Sequence, residues 1–557
     1  MSAKPILSTG ARLLVGALAD AGVARVYGMP QALDLPLWDC LKGGTRGEPP
    51  LKPCVPVSDL GGAFMALGDG RLERAPAALL LTPSPGLDQS LSAIGEARLL
   101  GVPMLVVVTL PGEAGSDAFE RLPLRPFKNV LIVESAPRIA EVVAAAWSAT
   151  REGRGGPVAL LLPERLLGES APRTLAPVPD PGALLRDPEE PAKIERAIGM
   201  LHGAHRPGIM VGPGALPAAT ELAQLAQNLG APSMGTALGR GALGDDHPLA
   251  IGHGDFDAGP RHARRIVETR DVILAVGIGR VPPPTRKGVT VIQIDSSPDP
   301  ASAADLVIAS DPRSALPLLS AAGRRAPERK LRERIQKGKR DHAASLTLAP
   351  REDGVQPELF YSRLRSRMAR DGVLVVDAGR HALWALHAFS VYQPNTFHVP
   401  ASDQALGLAL PAAIGAKLAQ PDRPVVTVTG HASFLVTAIE LRTAVDLRVP
   451  LPVFVLEEKE DEPGAMPPAR GRKGPGVDFR ALAQALGARN VRIENDLALD
   501  AGLDAALASA DRPTLCHVRI LYDRPAPSTS QDHGRAGRIS GVRSLARALT
   551  RRLWRRS

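Results

Sequence analysis

The chain has 557 residues, of which 44% are hydrophobic and 22% charged, and this is too much chain for one hydrophobic core, so three or four domains are expected. Its three cysteines, Cys40, Cys54 and Cys516, form no paired pattern, which argues against a disulfide framework or a cysteine-bound zinc and favours a reducing, cytoplasmic location. The formal charge is +9, and it falls to +1 without the eight arginines between Arg535 and Ser557.

The N-terminal region is predicted to be a helix. In the stretch ARLLVGALADAG no basic segment precedes a long apolar core, so we interpret it as an amphipathic helix and not as a signal peptide. No run of about 18 apolar residues occurs in the chain, so the sequence predicts no membrane span.

Residues 1–168 are predicted to form the first α/β unit. The apolar runs in AALLLTPSPG, VPMLVVVTLPG and GPVALLLPERL each end at a Gly or Pro turn, which is typical of buried parallel strands. The segment 169–190 is rich in proline and is predicted to be a linker.

Residues 191–322 are predicted to form a second α/β unit. The stretch RPGIMVGPGALPAATELAQLAQNLGAPSMG has the pattern strand, Gly-rich turn, helix, strand, and DVILAVGIG, VTVIQID and ADLVIAS add three short strands. This alternation predicts another parallel sheet with covering helices. The basic segment 323–354 is interpreted as a solvated helix or linker.

Residues 355–522 are predicted to form a third unit, with strands in GVLVVDAG, PVVTVTG, LPVFVLE and PTLCHVRI and a small-residue helix in LGLALPAAIGAKLA. The remaining 523–557 are an Arg-rich tail whose apolar residues would share one helical face. The tail either contacts an acidic partner, an anionic membrane surface or nucleic acid, or is a solvated extension. The predicted fold class is α/β, with three doubly wound parallel-sheet domains and a basic C-terminal tail.

Segments of all three units resemble, in the same order, the thiamine-diphosphate (ThDP) enzymes of the acetolactate synthase type. The first unit carries SDLGGAFMALGDGR and TPSPGLDQSLSAIGEARLLGVPMLVVV, the second TALGRGALGDDHPLAIG, and the third VVDAGRHALWA, LGLALPAAIGAKLAQPDRPVV and VDFRALAQALGA. The resemblance implies a pyrimidine-binding, a central and a diphosphate-binding domain. It also implies a decarboxylase or carboligase of a small 2-oxoacid, in a homodimer or homotetramer whose site lies between the first domain of one chain and the third domain of another.

The resemblance assigns the catalytic carboxylate to Asp59. The family uses Glu at this position, usually after His, whereas here Asp59 follows Ser58. The carboxylate is therefore one methylene shorter, and a displacement of about 1 Å can cost orders of magnitude in rate. The alternative interpretation is that Asp59 is the N-cap of the helix that follows, or a remnant of the family's carboxylate.

The resemblance places the metal ligands at His431 and Glu458, in degenerate versions of the family's cofactor motifs. Gly430-His431-Ala432, followed by Ser433, stands for the family's Gly-Asp-Gly turn, and Glu457-Glu458 stands for Asn-Asn. Mg²⁺ prefers hard oxygen ligands, and an imidazole with a carboxylate better suits Zn²⁺ or Mn²⁺. Two ligands do not make a site, and Ala432 removes a glycine that lets a backbone approach phosphate. The sequence therefore makes Mg²⁺ or another divalent metal doubtful.

Three further residues bear on the cofactor. Arg380-His381 stands where the family has Gln-His near the diphosphate. Arg380 either binds phosphate without a metal or is an exposed arginine at a strand-to-helix turn. Leu406 stands where a bulky apolar residue props the bent cofactor, or is an ordinary core leucine. For FAD the sequence offers no support, because VGIGRVPPPTRK lacks the pattern of flavin-containing relatives and a bare GxG is weak.

Two hypotheses about function follow. The chain is either a ThDP-dependent 2-oxoacid decarboxylase or carboligase with altered ligands, or a non-catalytic scaffold or regulatory homologue with the same fold. The core segments match the family while the polar ligands do not, and a fold by itself does not decide function.

Overall fold

The computed structural model describes residues 7–43, 51–73, 76–112, 122–179, 189–254, 260–280, 287–323, 328, 330–402, 405–458, 476–508 and 511–524. The predictions for the Arg-rich tail concern residues outside these ranges, except for residues 523–524. Within the described part of the chain, no helix is both long enough and apolar enough to cross a membrane.

In its described residues the first domain contains eight strands and six α-helices. The strands are β1 (Leu7–Thr9), β2 (Arg25–Tyr27), β3 (Lys52–Cys54), β4 (Ala77–Leu81), β5 (Met104–Leu110), β6 (Asn129–Ile132), β7 (Pro157–Pro163) and β8 (Ser170–Pro172). The helices are α1 (Gly10–Asp20), α2 (Leu35–Gly43), α3 (Asp59–Glu73), α4 (Asp88–Leu100), α5 (Ile139–Ala149) and α6 (Arg165–Gly168). The three apolar runs predicted as strands are β4, β5 and β7, which are buried along their whole length and pair in parallel.

The next elements along the chain belong to the middle domain and to the helix that follows this domain, α11 (Leu331–Ser345). The strands are β9 (Pro207–Val211), β10 (Ser233–Gly235), β11 (Ala250–His253), β12 (Val272–Val276), β13 (Thr290–Asp295) and β14 (Leu306–Ala309). The helices are α7 (Glu190–Gly203), α8 (Ala219–Leu229), α9 (Arg261–Val267), α10 (Pro312–Leu319) and α11 (Leu331–Ser345).

The third domain completes the described chain. Its strands are β15 (Val373–Val376), β16 (Phe397–His398), β17 (Val425–Gly430), β18 (Pro452–Glu458), β19 (Arg489–Ile493) and β20 (Thr514–Ile520). Its helices are α12 (Pro357–Arg367), α13 (Arg380–Ala388), α14 (Ala409–Ala419), α15 (His431–Thr437), α16 (Glu440–Asp446), α17 (Phe479–Leu486) and α18 (Asp496–Leu507).

Each domain is built on one six-stranded parallel sheet flanked by helices, which confirms the predicted fold class. The strand orders are β3-β2-β4-β5-β7-β6, β11-β10-β9-β12-β13-β14 and β16-β15-β17-β18-β20-β19. The first and third sheets thus have the same order relative to the chain. The buried apolar strands account for this architecture, because a parallel sheet needs helices on both faces.

Two predicted connectors differ from simple linkers. β8 lies inside the predicted linker 169–190 and pairs antiparallel with β1. In the basic segment 323–354, α11 is a helix, as one of the two interpretations had it. However, it is not simply solvated, because Leu331, Ile335 and Gly338 are buried. An apolar stripe docks this helix although most of its surface is charged.

The first and third domains pack directly on each other through α3 and α14. The two helices approach so closely that a Cβ atom added to Gly68 would lie 1.9 Å from the Ala412 carbonyl oxygen, and one added to Gly415 would lie 1.9 Å from that of Met65. The small residues of α14 therefore let backbone meet backbone, and the core of the two domains is continuous.

Candidate functional site

The third-domain candidate site lies at the carboxyl edge of its sheet. β15, β17 and β18 are adjacent and parallel, so the turns that follow them meet at one edge. Residues 377–381 and 431–433 follow β15 and β17 at this edge, and Gly430, Glu457 and Glu458 are the last residues of β17 and β18. The structure therefore brings together the third-domain residues predicted to bind a cofactor or metal, apart from Leu406.

Asp377 organises this edge, and the sequence analysis did not single it out. Its buried carboxylate accepts hydrogen bonds from the backbone N–H groups of Ala378 (2.9 Å), Gly407 (3.1 Å) and Ala409 (3.3 Å) and from the Thr429 hydroxyl (3.2 Å). Burial raises the pKa of Asp377 to about 6, although these donors oppose the shift. The available signal was an aspartate directly after a buried strand.

His381 is wedged between two glycines of the site. Its Cε1 atom would lie 2.6 Å from a Cβ on Gly379 and 3.1 Å from one on Gly430. Burial lowers the pKa of His381 to about 4, so the imidazole is neutral at pH 7. No described residue hydrogen-bonds to its Nε2 atom, so the ring keeps one polar atom available at the predicted diphosphate position.

Arg380 and Glu458 form an ion pair across the site. Arg380 Nη1 donates to Glu458 Oε2 at 3.1 Å, and Nη2 donates to the Tyr522 carbonyl at 3.0 Å. The guanidinium also lies 4.7 Å from the centre of the Tyr522 ring. The interpretation of Arg380 as a merely exposed arginine is therefore wrong. The carboxylate predicted as a metal ligand is engaged with a cation of the chain itself.

The turn that begins α15 presents a mixed surface. His431 and Ala432 are exposed, whereas Ser433 is buried and its hydroxyl donates to the Ala378 carbonyl at 3.3 Å. Glu457 Oε2 lies 2.6 Å from His517 Nε2. This hydrogen bond, helped by the charges of His431 and Arg492, lowers the pKa of Glu457.

These residues do not fit a magnesium-bridged diphosphate. Among the described residues, no three His, Cys, Asp or Glu side chains are grouped so that they could hold a metal. Glu458 is paired with Arg380, Glu457 with His517, and His431 offers an imidazole where a hard cation needs oxygen. The chemistry of this donor set therefore differs from what the resemblance implies.

Leu406 is a surface residue of the third domain. Its side chain is 48% exposed, so the interpretation as an ordinary core leucine is wrong. It precedes Gly407, whose carbonyl accepts a hydrogen bond from the Thr437 hydroxyl at 2.7 Å. Leu406 is thus held beside α15 with its apolar side chain accessible to a ligand or a neighbouring chain.

Asp59 is the first residue of α3 and is not its N-cap. The capping residue is Ser58, whose Oγ accepts the backbone N–H of Gly61 at 3.0 Å. Asp59 is only 3% exposed, and no described residue hydrogen-bonds to its carboxyl. Burial, and then the charge of Asp34, raise the pKa of Asp59. A buried carboxyl without a structural partner is typical of a functional position.

Asp59 lies far from the third-domain site of its own chain. Gly68 opposes Ala412 and Met65 opposes Gly415, so α3 and α14 are antiparallel. Asp59 is therefore near the end of α14, whereas Asp377 binds Ala409 at its beginning. Continuing this register places Asp59 level with position 421, twelve residues from Ala409, and at a rise of about 1.5 Å per residue this is roughly 18 Å along the axis of α14.

The middle domain has the strand order of dinucleotide-binding folds. In such folds a ligand binds in the crevice between the central turns, but here the described parts of these turns pack against each other and occupy that crevice. The Gly214 N–H donates to the Gly277 carbonyl at 2.9 Å, and a Cβ on Gly212 would lie 2.3 Å from the same oxygen. The Asp295 carboxylate accepts the N–H groups of Gly279 (2.6 Å) and Ser297 (3.0 Å). Residues 281–286 of the predicted turn lie outside the described ranges.

Three family models match the chain in order along its length. They are the N-terminal TPP binding domain over residues 8–126, the central domain over 194–319 and the C-terminal TPP binding domain over 377–518, all of thiamine pyrophosphate enzymes. The third match spans every third-domain residue of the candidate site.

Several acetolactate synthases are similar over nearly the whole chain. The isozyme 3 large subunit of Escherichia coli is 27% identical over 92% of this chain and 95% of its own. The large subunit of Parasynechococcus marenigrum is 28% identical over 93% and 88%. A probable large subunit of Methanocaldococcus jannaschii is 27% identical over 81% and 80%. The chain therefore belongs to the thiamine-diphosphate enzyme family and is an acetolactate synthase-like member of it.

Proposed function

We propose that this acetolactate synthase-like chain has lost the magnesium-dependent decarboxylation and carboligation of 2-oxoacids and acts as a non-catalytic, regulatory homologue of the family. The observation that carries the proposal is the ion pair between Arg380 and Glu458, with the His431 imidazole beside it. An internal cation occupies Glu458, and the remaining donors are unsuited to a hard divalent ion.

The proposed assembly is a homodimer or homotetramer. Asp59 and the third-domain turns lie apart within one chain, so only a second copy could bring them to one site. Five of the exposed large apolar residues support this arrangement, because they lie beside these two regions: Val55, Val57, Leu406, Val436 and Ile439. Exposed apolar surface of this kind marks interfaces.

The direct test is calorimetric titration of the purified protein with ThDP, without metal and with Mg²⁺, Mn²⁺ or Zn²⁺, together with release of CO₂ from pyruvate. We expect no magnesium-dependent increase in ThDP affinity and no CO₂ above the buffer background. Tight ThDP binding that requires Mg²⁺, followed by steady CO₂ release, would contradict the proposal.

A variant that restores the family's ligands provides the complementary test. In the double variant His431→Asp with Glu458→Asn, oxygen donors replace the imidazole and the ion-paired carboxylate, so magnesium should increase the affinity for ThDP by about tenfold or more. The matched control is Asp446→Asn, which removes a carboxylate from the exposed Arg442–Asp446 pair outside the site. An equal response of both variants would exclude the proposed cause.

A second candidate function is a metal-independent ThDP enzyme of 2-oxoacids. The observation that favours it is the buried carboxyl of Asp59, which has no structural partner among the described residues. In this case Arg380 would exchange Glu458 for phosphate. ThDP binding and CO₂ release that are insensitive to a metal chelator would support this candidate over the first.

A further inference from the structure

Glu440 joins the third domain to the start of α3. Its fully buried carboxylate accepts hydrogen bonds from the Ser58 hydroxyl at 2.6 Å, the Val57 N–H at 3.2 Å and the Thr443 hydroxyl at 2.5 Å. None of the described Lys, Arg or His side chains is within ion-pair distance of it. The charge is therefore balanced by oriented neutral donors, two of them from the first domain.

Gly61 makes this contact sterically feasible. A Cβ on Gly61 would lie 2.1 Å from Glu440 Oε1. The Gly61 N–H in turn donates to Ser58 Oγ, which donates its own proton to Glu440. The third-domain carboxylate, the Ser58 hydroxyl and the Gly61 amide thus form one chain of hydrogen bonds around the first turn of α3.

Asp59 lies within that turn, between Ser58 and Gly61. Because no described residue hydrogen-bonds to its carboxyl, its direction depends on the backbone of the turn. Glu440 and Ser58 hold that backbone on one side, and the Asp59 carbonyl accepts the Ser90 hydroxyl at 3.3 Å. Glu440 is also connected to the candidate site, since α15 leads to it from Gly430 and is tied to the site through Ser433 and Thr437.

We propose that Glu440 is a positioning residue for Asp59: the third domain of each chain orients the carboxyl that the first domain presents to a ligand held by the third domain of a partner copy. The inference rests on the proposed two-chain site. Residues 430–440 of one chain would thereby connect the Gly430 turn, which belongs to one site, to the Asp59 carboxyl, which belongs to the other site.

The test uses the full-length protein without cofactor. Asp59 is labelled with a water-soluble carbodiimide and quantified by mass spectrometry, and amide hydrogen exchange is followed over residues 57–64. In Glu440→Gln and in Ser58→Ala we expect labelling of Asp59 and exchange of this segment to rise by about fivefold or more, because the hydrogen-bond chain is broken. Ser58→Thr keeps the hydroxyl and should restore wild-type values.

The matched control is Glu96→Gln. Like Glu440, Glu96 is a buried carboxylate that joins the first and third domains. It belongs to the first domain and accepts a hydrogen bond from the Ser402 hydroxyl of the third domain at 2.8 Å. It should lower stability without changing the labelling of Asp59. Equal effects of Glu96→Gln and Glu440→Gln, or an unchanged Asp59 in folded Ser58→Ala, would overturn the inference. Because these measurements need no cofactor, catalysis by the wild type would refute the proposed function and leave this inference standing.

Discussion

At the scale of single residues, the environment of Asp59 distinguishes a functional role of this carboxyl from a stabilising one. The sequence left three interpretations open, a catalytic carboxylate, an N-cap and a remnant of the family's carboxylate, and the structure removes only the N-cap because Ser58 caps α3. What remains is a buried carboxyl whose pKa is raised by burial and by Asp34. Such a group favours folding only when protonated, so its contribution is present at low pH and is lost as the pH rises through its folded-state pKa.

Replacing Asp59 should therefore stabilise the fold at neutral pH. We expect Asp59→Ala to raise the free energy of unfolding at pH 7.5 by roughly 1 kcal/mol, because burial and the charge of Asp34 both disfavour the ionised carboxylate that is removed. The gain should have largely vanished by about pH 3, one unit below the unfolded-state pKa of about 3.9, where the group is mostly protonated in both states. Urea unfolding at the two pH values measures this.

Asp478 serves as the control for this prediction, because it is a genuine N-cap whose carboxylate accepts the N–H groups of Arg480 and Ala481 at 3.0 Å. Asp478→Ala should lower the unfolding free energy by about 1 kcal/mol. A loss of similar size in Asp59→Ala would mean that Asp59 has a structural role after all.

The third-domain site was predictable in its location but not in its pairing. Residues 380–381, 430–433 and 458 lie at or just after the carboxyl ends of strands that a parallel sheet must align at one edge. Whether Glu458 binds a metal or pairs with Arg380 depends on the directions of two side chains that are 78 positions apart in the chain. No local sequence pattern specifies these directions.

At the scale of elements, the pair of α3 and α14 determines how the first and third domains meet. The small residues of α14 predicted close packing, and the structure identifies α3 as the partner. These glycines are needed for close packing and not for their backbone conformation. Neither Gly68 nor Gly415 has a positive φ, but a Cβ atom added to either would lie 1.9 Å from a carbonyl oxygen of the other helix.

Gly68→Ala should separate these helices. The added methyl group cannot be accommodated without backbone movement, so we expect a loss of about 2 kcal/mol in unfolding free energy. Chemical denaturation followed by circular dichroism measures this loss. In Gly95→Ala, on α4, no atom lies within 4 Å of the new Cβ. That control should be neutral or slightly stabilising, and equal losses in both variants would contradict the packing argument.

At the scale of the whole molecule, the first and third domains share one strand order, and the residues predicted to bind a cofactor lie in both of them. Asp59 belongs to one and residues 377–381 and 430–433 to the other, at opposite ends of α14. Under the proposed function, a second copy would cover the large apolar residues that are exposed beside these regions.

Ile439→Asp should weaken that assembly. Ile439 is 45% exposed and adjoins Glu440 in the chain, so a charge there would be buried on association. We expect the dissociation constant measured by analytical ultracentrifugation to rise by about tenfold or more. Leu497→Asp, an exposed leucine on α18, is the control and should have no effect. A monomeric wild type, or assembly unchanged in Ile439→Asp, would refute the two-chain site.

The sequence by itself predicted three α/β units in chain order and several of their buried strands, because periodicity and turn residues act over a few neighbouring positions. The family came from the resemblance of segments in all three units. Only the tertiary structure decided that Arg380 holds Glu458, that α11 is docked and that Leu406 is exposed. Those outcomes depend on hydrogen bonds and burial between residues distant in the chain, and these exist only once the domains have packed together.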